Sequence, residues 1–383
     1  MKKLVPKKEV SPRWDPYFIA RDEYFILFWK EFLYKYKRNI LFILGIGFDP
    51  RMCFGYESIV NLGGSGKRDC LLVQFDEGPN SPSRVYSNLV EKNLEKIKNI
   101  IPVNSKIITQ KISMWSEDSS RRTGSRNSAN IIVDLSDISK YTDIVVDISS
   151  MPRGIYFPLI GKILFLMDSN KKEEKITQNP NLHILVSENA QLDSKIKDEG
   201  IDEDANYMYG FTGTLETESY ADLPKVWIPI LGENQAQQLI RMVNKIDPNE
   251  ICPMLPMPSV DPRRGDNLLT EYREILFDRL RVDPKNYIYV AEQNPFEVYR
   301  EIFRTVQHYK KSLETLGGCQ IAISASSSKL LSIGALLAAY ELKNQGVGII
   351  NIETYGYQID DDIESLLDKT ELFTIWISGE CYE

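Results

Sequence analysis

The stretch Ile323–Tyr340, ISASSSKLLSIGALLAAY, decides how the fold of this chain is interpreted. A strand-like apolar run ends in small hydroxyl residues and a lysine, and an apolar helical pattern begins at once. A strand that turns directly into a helix is typical of α/β folds, and it brings free N–H groups, hydroxyls and a cation to one point. That combination suits a phosphate or ribose oxygen. We call Ser324–Lys329 the second elbow, and its candidate ligand-binding residues are Ser326, Ser327, Ser328 and Lys329.

The same design occurs earlier in the chain. The apolar run Ile144–Ser150, IVVDISS, leads into Met-Pro-Arg-Gly and then into the helical pattern IYFPLIGKILFLMD. One such elbow is readily explained by helix capping, because serine is a preferred cap. Two elbows, each with serines and one basic residue, favour two related nucleotide-sized sites. We call Ser149–Gly154 the first elbow, and its candidate ligand-binding residues are Ser149, Ser150 and Arg153.

Composition limits the classes of protein that are compatible with this chain. Its 383 residues are 43% hydrophobic and 26% charged, as expected for a globular protein of two or three domains. The net charge of −8 disfavours duplex nucleic acid as a partner. No apolar run reaches the roughly 18 to 20 residues of a membrane span. The five cysteines lack C-x-x-C spacing, which predicts reduced, mostly buried thiols and a cytoplasmic location.

Histidine is nearly absent, which limits the chemistry that can be expected. His183 lies in an apolar strand-like run and His308 on the polar side of a helical pattern. Neither has the neighbours of a zinc site or of a Ser-His-Asp triad. We therefore expect both histidines to be structural or solvated, and we predict no metal site.

The order of apolar and polar segments predicts the domain organisation. Continuous rather than alternating apolar strands, separated by helical patterns, indicate parallel sheets covered on both faces. Each half has five predicted strands, and its elbow follows the fourth. The fold class is therefore predicted as α/β, with two Rossmann-like domains related as a diverged internal repeat. The predicted units are an arm and amphipathic helix at 1–38, a first domain at 39–190, an acidic connector at 191–224 and a second domain at 225–383.

The first predicted strand ends in the loop GIGFDPRM. Gly45 and Gly47 allow a tight turn, Asp49 can cap a helix or bind a ribose hydroxyl, and Arg51 can face a phosphate. The alternative is a tight turn closed by an internal pair between Asp49 and Arg51. This loop also resembles the glycine-rich first loop of S-adenosylmethionine-dependent methyltransferases. That resemblance implies a ribose-binding role for Asp76, at the end of the second predicted strand.

Two further loops contain clustered arginines. In PSVDPRRGD, Arg263 and Arg264 stand between two aspartates on a proline-rich loop. Paired arginines suit bidentate phosphate binding, but the flanking acids equally suit a self-satisfied ion-pair network, and both interpretations remain open. The stretch 116–128, SEDSSRRTGSRNS, is predicted to be a loop whose Arg121, Arg122 and Arg126 are solvated.

This layout resembles the tandem Rossmann-like sensor domains known as CARF and SAVED, which bind cyclic oligonucleotides in prokaryotic antiviral systems. In those families the loop after the first strand and a hydroxyl-rich loop after the fourth frame the ligand. The matching pairs of loops in this sequence are 45–51 with 149–154, and 232–235 with 324–329, within about residues 39–360. The resemblance implies ligand contacts for Glu233 and Asn234 as well.

We therefore expect a nucleotide-binding sensor or subunit of an antiviral-defence-type assembly. Its ligand, a nucleotide or cyclic oligonucleotide, would lie at the carboxyl ends of the strands, and its partner would be another protein or a second copy of the chain. One alternative is an enzyme that processes a nucleotide or uses S-adenosylmethionine. Another is a non-catalytic scaffold subunit, because a fold does not imply a function.

Overall fold

A computed structural model of the chain describes residues 11–78, 81–118, 121–173, 179–193, 195–359 and 364–382. Strands and helices alternate through both halves, as the apolar pattern predicts, and the α/β fold class is confirmed. The strands are β1 Phe18–Arg21, β2 Ile40–Ile46, β3 Arg68–Asp76, β4 Ile107–Ser113, β5 Asp143–Asp147, β6 Asn181–Glu188, β7 Ile196–Ile201, β8 Asn206–Tyr207, β9 Lys225–Ile230, β10 Glu250–Ile251, β11 Met254–Pro256, β12 Ile288–Val290, β13 Gln320–Ala325, β14 Val347–Asn351, β15 Thr354–Ile359 and β16 Glu371–Ser378. The helices are α1 Asp22–Lys35, α2 Phe54–Asn61, α3 Ser87–Ile100, α4 Gly124–Ala129, α5 Arg153–Glu173, α6 Ala190–Asp193, α7 Ala236–Ile246, α8 Arg264–Glu271, α9 Pro295–Ser312 and α10 Lys329–Glu341, with a π-helical turn at Glu274–Arg279.

The first sheet has the order β1-β16-β6-β5-β2-β3-β4. Its strands from β6 to β4 run parallel to their neighbours, with the first strand of the Rossmann-like unit, β2, in the centre. All residues of β2 and β5 are buried, which explains why β2 and the centre of β5, Ile144–Val146, are continuously apolar rather than alternating. The chain adds β3 and β4 on one side of β2 and then β5 and β6 on the other, and this switch point between β2 and β5 is where α/β folds form a crevice.

The second sheet repeats the same strand order. It runs β12-β11-β9-β13-β14-β8, with β10 also paired to β9, and the pairs from β12 to β14 are parallel. Here β9 is central and the switch point lies between β9 and β13. The two halves therefore share one topology, and the helix that follows each elbow, α5 or α10, occupies the same place after the fourth strand.

Three strands, β7, β8 and β16, do not follow the domain boundaries that the sequence predicts. Strand β16 falls within 225–383, the range expected for the second domain, yet it pairs antiparallel with β6 of the first sheet. It covers an edge of the sheet that would otherwise expose unpaired backbone groups. The expected connector 191–224 contains β7 and β8, and β7 pairs with β15 beyond the second sheet.

The two halves share one hydrophobic core, which includes residues of both sheets and of α5, α9 and α10. The segment before β1 joins them further. The indole N–H of Trp14 donates to the carbonyl of Ile377 at 2.8 Å, and its ring meets Tyr299 edge to face. The guanidinium of Arg13 bonds the carboxylate of Asp168 at 2.7 Å. This segment therefore ties α5 and β16 of the first half to α9 of the second.

Candidate functional site

The first elbow lies against the loop that follows β2, as expected from the switch point of the first sheet. The hydroxyl of Ser150 donates to the carbonyl of Gly45 at 2.7 Å. A Cβ atom on Gly45 would lie 2.8 Å from Cγ of Met151, so a side chain there would collide with the elbow itself. A Cβ atom on Gly47 would be 3.6 Å from Ser150, which is ordinary contact. The need for glycine at position 45 is therefore explained by packing within the protein.

A buried carboxylate, that of Asp147, is hydrogen-bonded to the first elbow. Asp147, the last residue of β5, is 1% exposed and accepts hydrogen bonds from the backbone N–H and the hydroxyl of Ser149. The same hydroxyl accepts from the N–H of Ser187 at 2.9 Å. Burial raises the pKa of Asp147 to about 7, more than its bonds to Ser149 lower it. Ser149 is thus fully used in holding β5, β6 and the elbow together.

The Asp49 and Arg51 side chains form the internal pair that was the alternative interpretation of the GIGFDPRM loop. The Arg51 side chain is 2% exposed, and its Nη2 lies 2.7 Å from Asp49 and 2.8 Å from Asp193. Burial alone would lower the pKa of Arg51, but the two carboxylates outweigh it and raise that pKa. The guanidinium that was expected to face a phosphate is therefore neutralised inside the protein.

The hydroxyls and the lysine of the second elbow are paired less completely than the groups of the first elbow. The hydroxyl of Ser328 caps α10 by accepting from the N–H of Leu331 at 3.3 Å, which supports the capping interpretation for that serine. The hydroxyl of Ser327 is buried and has no hydrogen-bond partner among the described residues. Lys329 is half-buried, and within the described ranges its ammonium has no hydrogen bond or ion pair. Ser326 is buried, and its carbonyl packs closely on Gly232.

The two elbows meet across the boundary between the halves. The guanidinium of Arg153 donates to the carbonyls of Ala325 at 2.6 Å and Ser327 at 3.3 Å. In the first turns of α5 and α10, the hydroxyls of Tyr156 and Ser332 are hydrogen-bonded to each other. The two expected sites are therefore parts of one composite region, and Arg153 acts as the brace between them.

A second carboxylate of the first half reaches the start of α10. Glu188, the last residue of β6, accepts from the N–H of Leu330 at 3.2 Å. The carboxylate of Glu188 thus accepts from a backbone N–H at the start of a helix, where other proteins bind anions. Burial and the nearby charge of Asp193 raise the pKa of Glu188, while Lys329 and Arg51 lower it. Lys329 also lowers the pKa of Asp147. Lys329 therefore lies in the field of the buried Asp147 carboxylate and the half-buried Glu188 carboxylate without being paired to either.

Sequence reasoning missed both of these acids. Asp147 is a lone acid in the apolar run IVVDISS, and Glu188 follows the end of the apolar run 182–186. A charged residue at the carboxyl end of a buried parallel strand is the signal that could have identified them.

The residues expected from the second half form a network beside the second elbow. Arg264 binds Glu233 through two nitrogens, at 2.6 and 2.9 Å, and also binds Glu292. The N–H of Asn234 donates to Glu271 at 2.8 Å. One interpretation of the PSVDPRRGD loop was an ion-pair network with its flanking aspartates, but the partners of Arg264 are Glu233 and Glu292 instead. Arg263 is exposed, its backbone N–H donates to the carboxylate of Asp261 at 2.9 Å, and its guanidinium has no partner in the described part of the chain.

Two other residues singled out in the sequence, Asp76 and Arg122, have partners outside the elbows. Asp76 pairs with Lys111 at 2.7 Å, and this bond lowers the pKa of the carboxyl group. The predicted loop at 116–128 contains the start of α4, and Arg122 is not solvated as expected. Its guanidinium lies 3.9 Å from the ring centre of Trp115 and pairs with Asp202 at 3.0 Å.

The histidines and cysteines lie in different environments. His183 is buried, which lowers its pKa, and His308 is exposed. Four of the five cysteines are buried, and Cys381 is exposed. Among the described residues, His, Cys, Asp and Glu side chains form no group of three that could hold a metal ion. Within the same ranges, none of the helices combines the length and the apolar character that crossing a bilayer requires.

No protein-family model matches this chain, and no curated protein matches it at a significant level.

Proposed function

We propose that this chain is a nucleotide-binding subunit whose ligand lies where the two elbows meet, with a phosphate group held by Lys329 and the hydroxyl of Ser327. The observation that carries the proposal is the state of Lys329, a half-buried cation with no partner among the described residues. The buried hydroxyl of Ser327 is unpaired as well. Because unpaired buried polar groups are costly, an anionic oxygen that satisfies both would bind favourably.

Glu188 gives the site a way to accept that anion. Its carboxylate holds the N–H of Leu330, the position that a phosphate oxygen would use at the start of α10. In the proposed complex a phosphate oxygen replaces the carboxylate. The raised pKa of Glu188 supports this exchange, because a carboxyl group that is protonated easily no longer repels the ligand.

The wider role rests on the layout of the chain. Two halves with the same strand order, joined through the elbows after their fourth strands, are the arrangement expected of tandem nucleotide-sensor domains such as CARF and SAVED. We therefore infer a cytoplasmic sensor or subunit of a defence-type assembly, which acts with a protein partner or a second copy of itself. The internal pairing of Arg51 and Asp49 disfavours the methyltransferase alternative, because neither side chain is free for a cofactor.

Mass spectrometry of small molecules released from the purified protein tests this function. We expect a nucleotide, or else an increase in melting temperature with at least one member of a panel of nucleotides and cyclic oligonucleotides. Release of S-adenosylmethionine would support the enzyme alternative. If nothing is released and no member of the panel stabilises the protein, the binding proposal is wrong and the scaffold interpretation replaces it.

A further inference from the structure

A cavity lies on the flank of the α5–α10 pair, apart from the second elbow. Its volume is about 280 Å³, and it opens between the middle of α5, the last turn of α10 and the segment 209–211. Lys329 begins α10, whereas the cavity is lined by Tyr340 near the end of that helix. The cavity therefore combines elements of both halves without using the residues of the proposed nucleotide site.

The walls of this cavity are apolar and largely aromatic. Phe211 forms a close contact with α5, because a Cβ atom on Gly161 would lie 2.7 Å from its Cζ. Glycine at 161 thus lets an aromatic ring approach the helix backbone. Two aromatic residues of the lining stay open to solvent, Phe165 at 52% and Tyr209 at 48% exposure. Exposed aromatic groups around a concave apolar surface are a feature of ligand sites.

Two lysines give the cavity its charge. The ammonium of Lys343 lies 3.9 Å from the ring centre of Tyr340 and 5.7 Å from that of Phe165. Lys162, one turn before Phe165 on α5, also lines the cavity and is half-buried. Its ammonium makes no hydrogen bond or ion pair with residues that the structure describes. Lys162, beside an apolar cavity, favours a ligand with an apolar body and an anionic head.

The volume limits the size of the apolar body. An engineered apolar cavity of about 150 Å³ holds benzene, and typical drug-sized ligands occupy pockets of about 300 Å³ or more. The cavity here lies between these limits, so it has room for one or two fused rings or for a short acyl chain.

We propose that this cavity binds a small amphipathic anion, an aryl or acyl carboxylate, with its apolar body against Phe211 and Tyr340 and its carboxylate near Lys162. The bound molecule contacts α5 of the first half and α10 of the second. It therefore stabilises the pairing of the halves, independently of any nucleotide at the elbows.

Isothermal titration calorimetry with matched charged and neutral probes tests this site. The probes are octanoate and naphthoate, with octanol and naphthalenemethanol as their neutral counterparts. We expect at least one anion to bind, and about three- to tenfold more tightly than its neutral counterpart. Comparison of the two anions distinguishes an acyl from an aryl ligand. The absence of binding by both anions, or equal binding of each anion and its neutral counterpart, would overturn the proposal.

Two variants locate the bound molecule. Lys162→Met keeps the apolar stem but removes the charge, so it should reduce the affinity for the anion to that for the neutral probe. Ala129→Phe adds a ring to the cavity lining and should abolish binding of every probe. Lys30→Met, at an exposed lysine of α1, is the matched control and should change nothing. Unchanged anion binding in Lys162→Met would contradict the proposal even if Ala129→Phe failed to fold.

Discussion

The loop after β2 and the second elbow both place a cation near the carboxyl end of a central strand, but the two cations differ in their partners. Arg51 is enclosed by Asp49 and Asp193, and its side chain is 2% exposed. Lys329 is half-buried, and the described residues offer it neither an ion pair nor a hydrogen bond. A cation at a strand end is therefore evidence for a ligand only when the protein does not neutralise it. By that criterion Arg51 stabilises the fold, and Lys329 is the cation that we propose binds an anion.

Removal of the enclosed cation should have the largest effect on stability. Arg51→Met leaves the carboxylate of Asp49 buried without its partner, so we expect the free energy of unfolding to fall by about 3–5 kcal/mol. Urea denaturation followed by circular dichroism measures this loss. Arg263→Met, at an exposed arginine, is the control and should stay within about 0.5 kcal/mol of the wild type. A loss below about 1 kcal/mol for Arg51→Met would mean that the pair does not brace the loop.

Removal of Arg153, the brace between the elbows, should have the second-largest effect on stability. Arg153→Met removes the donor to the carbonyls of Ala325 and Ser327. Because hydrogen bonds from a charged group are worth about 1.5–3 kcal/mol, a destabilisation of that size is expected by the same measurement. Arg126→Met, on the exposed side of α4, serves as the comparison. Equal stability of these two variants would show that the elbows do not depend on Arg153.

Asp147 should make the stability of the first half depend on pH. Its pKa of about 7 in the folded chain exceeds the ordinary value near 4 of an unfolded aspartate. Between these values the folded state binds more protons, so the free energy of unfolding falls as pH rises. We expect the wild type to lose about 2 kcal/mol more than Asp147→Asn between pH 5 and pH 8.

Denaturation at a series of pH values tests this difference in slope, and it does not require the two proteins to be equally stable at any one pH. Asp76→Asn is the control. The pKa of Asp76 is lowered by Lys111, so its contribution to stability is lost only below that range of pH. Parallel pH profiles for wild type and Asp147→Asn would contradict the proposed burial of the charge.

The smallest effect is expected in the second half, in the PSVDPRRGD loop. Lysine cannot reproduce the two bonds from Arg264 to Glu233 together with the bond to Glu292, so Arg264→Lys should cost about 1 kcal/mol. The neighbouring Arg263→Lys should cost nothing measurable by denaturation. If both substitutions were equally silent, the ion-pair network would not fix this loop.

Local sequence patterns were sufficient for much of the fold. The apolar runs predicted the parallel strands, and the abrupt change from strand to helix predicted both elbows, because these signals come from residues that are adjacent in the chain. The pair of Asp49 and Arg51, two residues apart, could be proposed for the same reason. Strand β16 could not be assigned to the first sheet, since its pairing with β6 joins residues far apart in sequence.

The candidate site was less predictable because its partners come from both halves. Nothing near Arg153 in sequence indicates that its guanidinium binds carbonyls of the second elbow. Likewise, the pattern around Arg122 predicts a solvated loop, whereas Trp115 and Asp202 hold this side chain. Tertiary contacts determine which charged side chains are neutralised. Neutralisation in turn decides whether a charged side chain has a structural or a ligand-binding role.

Calorimetric titration of a nucleotide or cyclic oligonucleotide that stabilises the wild type into wild type, Lys329→Met and Lys30→Met tests whether Lys329 holds the ligand. A charge-assisted bond to phosphate is worth about 1.5–3 kcal/mol, so Lys329→Met should weaken binding by about ten- to a hundredfold. Lys30→Met, which removes the same charge from an exposed position on α1, should retain the wild-type affinity. Equal affinities for all three proteins, with equal melting temperatures, would show that the unpaired cation of the second elbow does not hold the ligand.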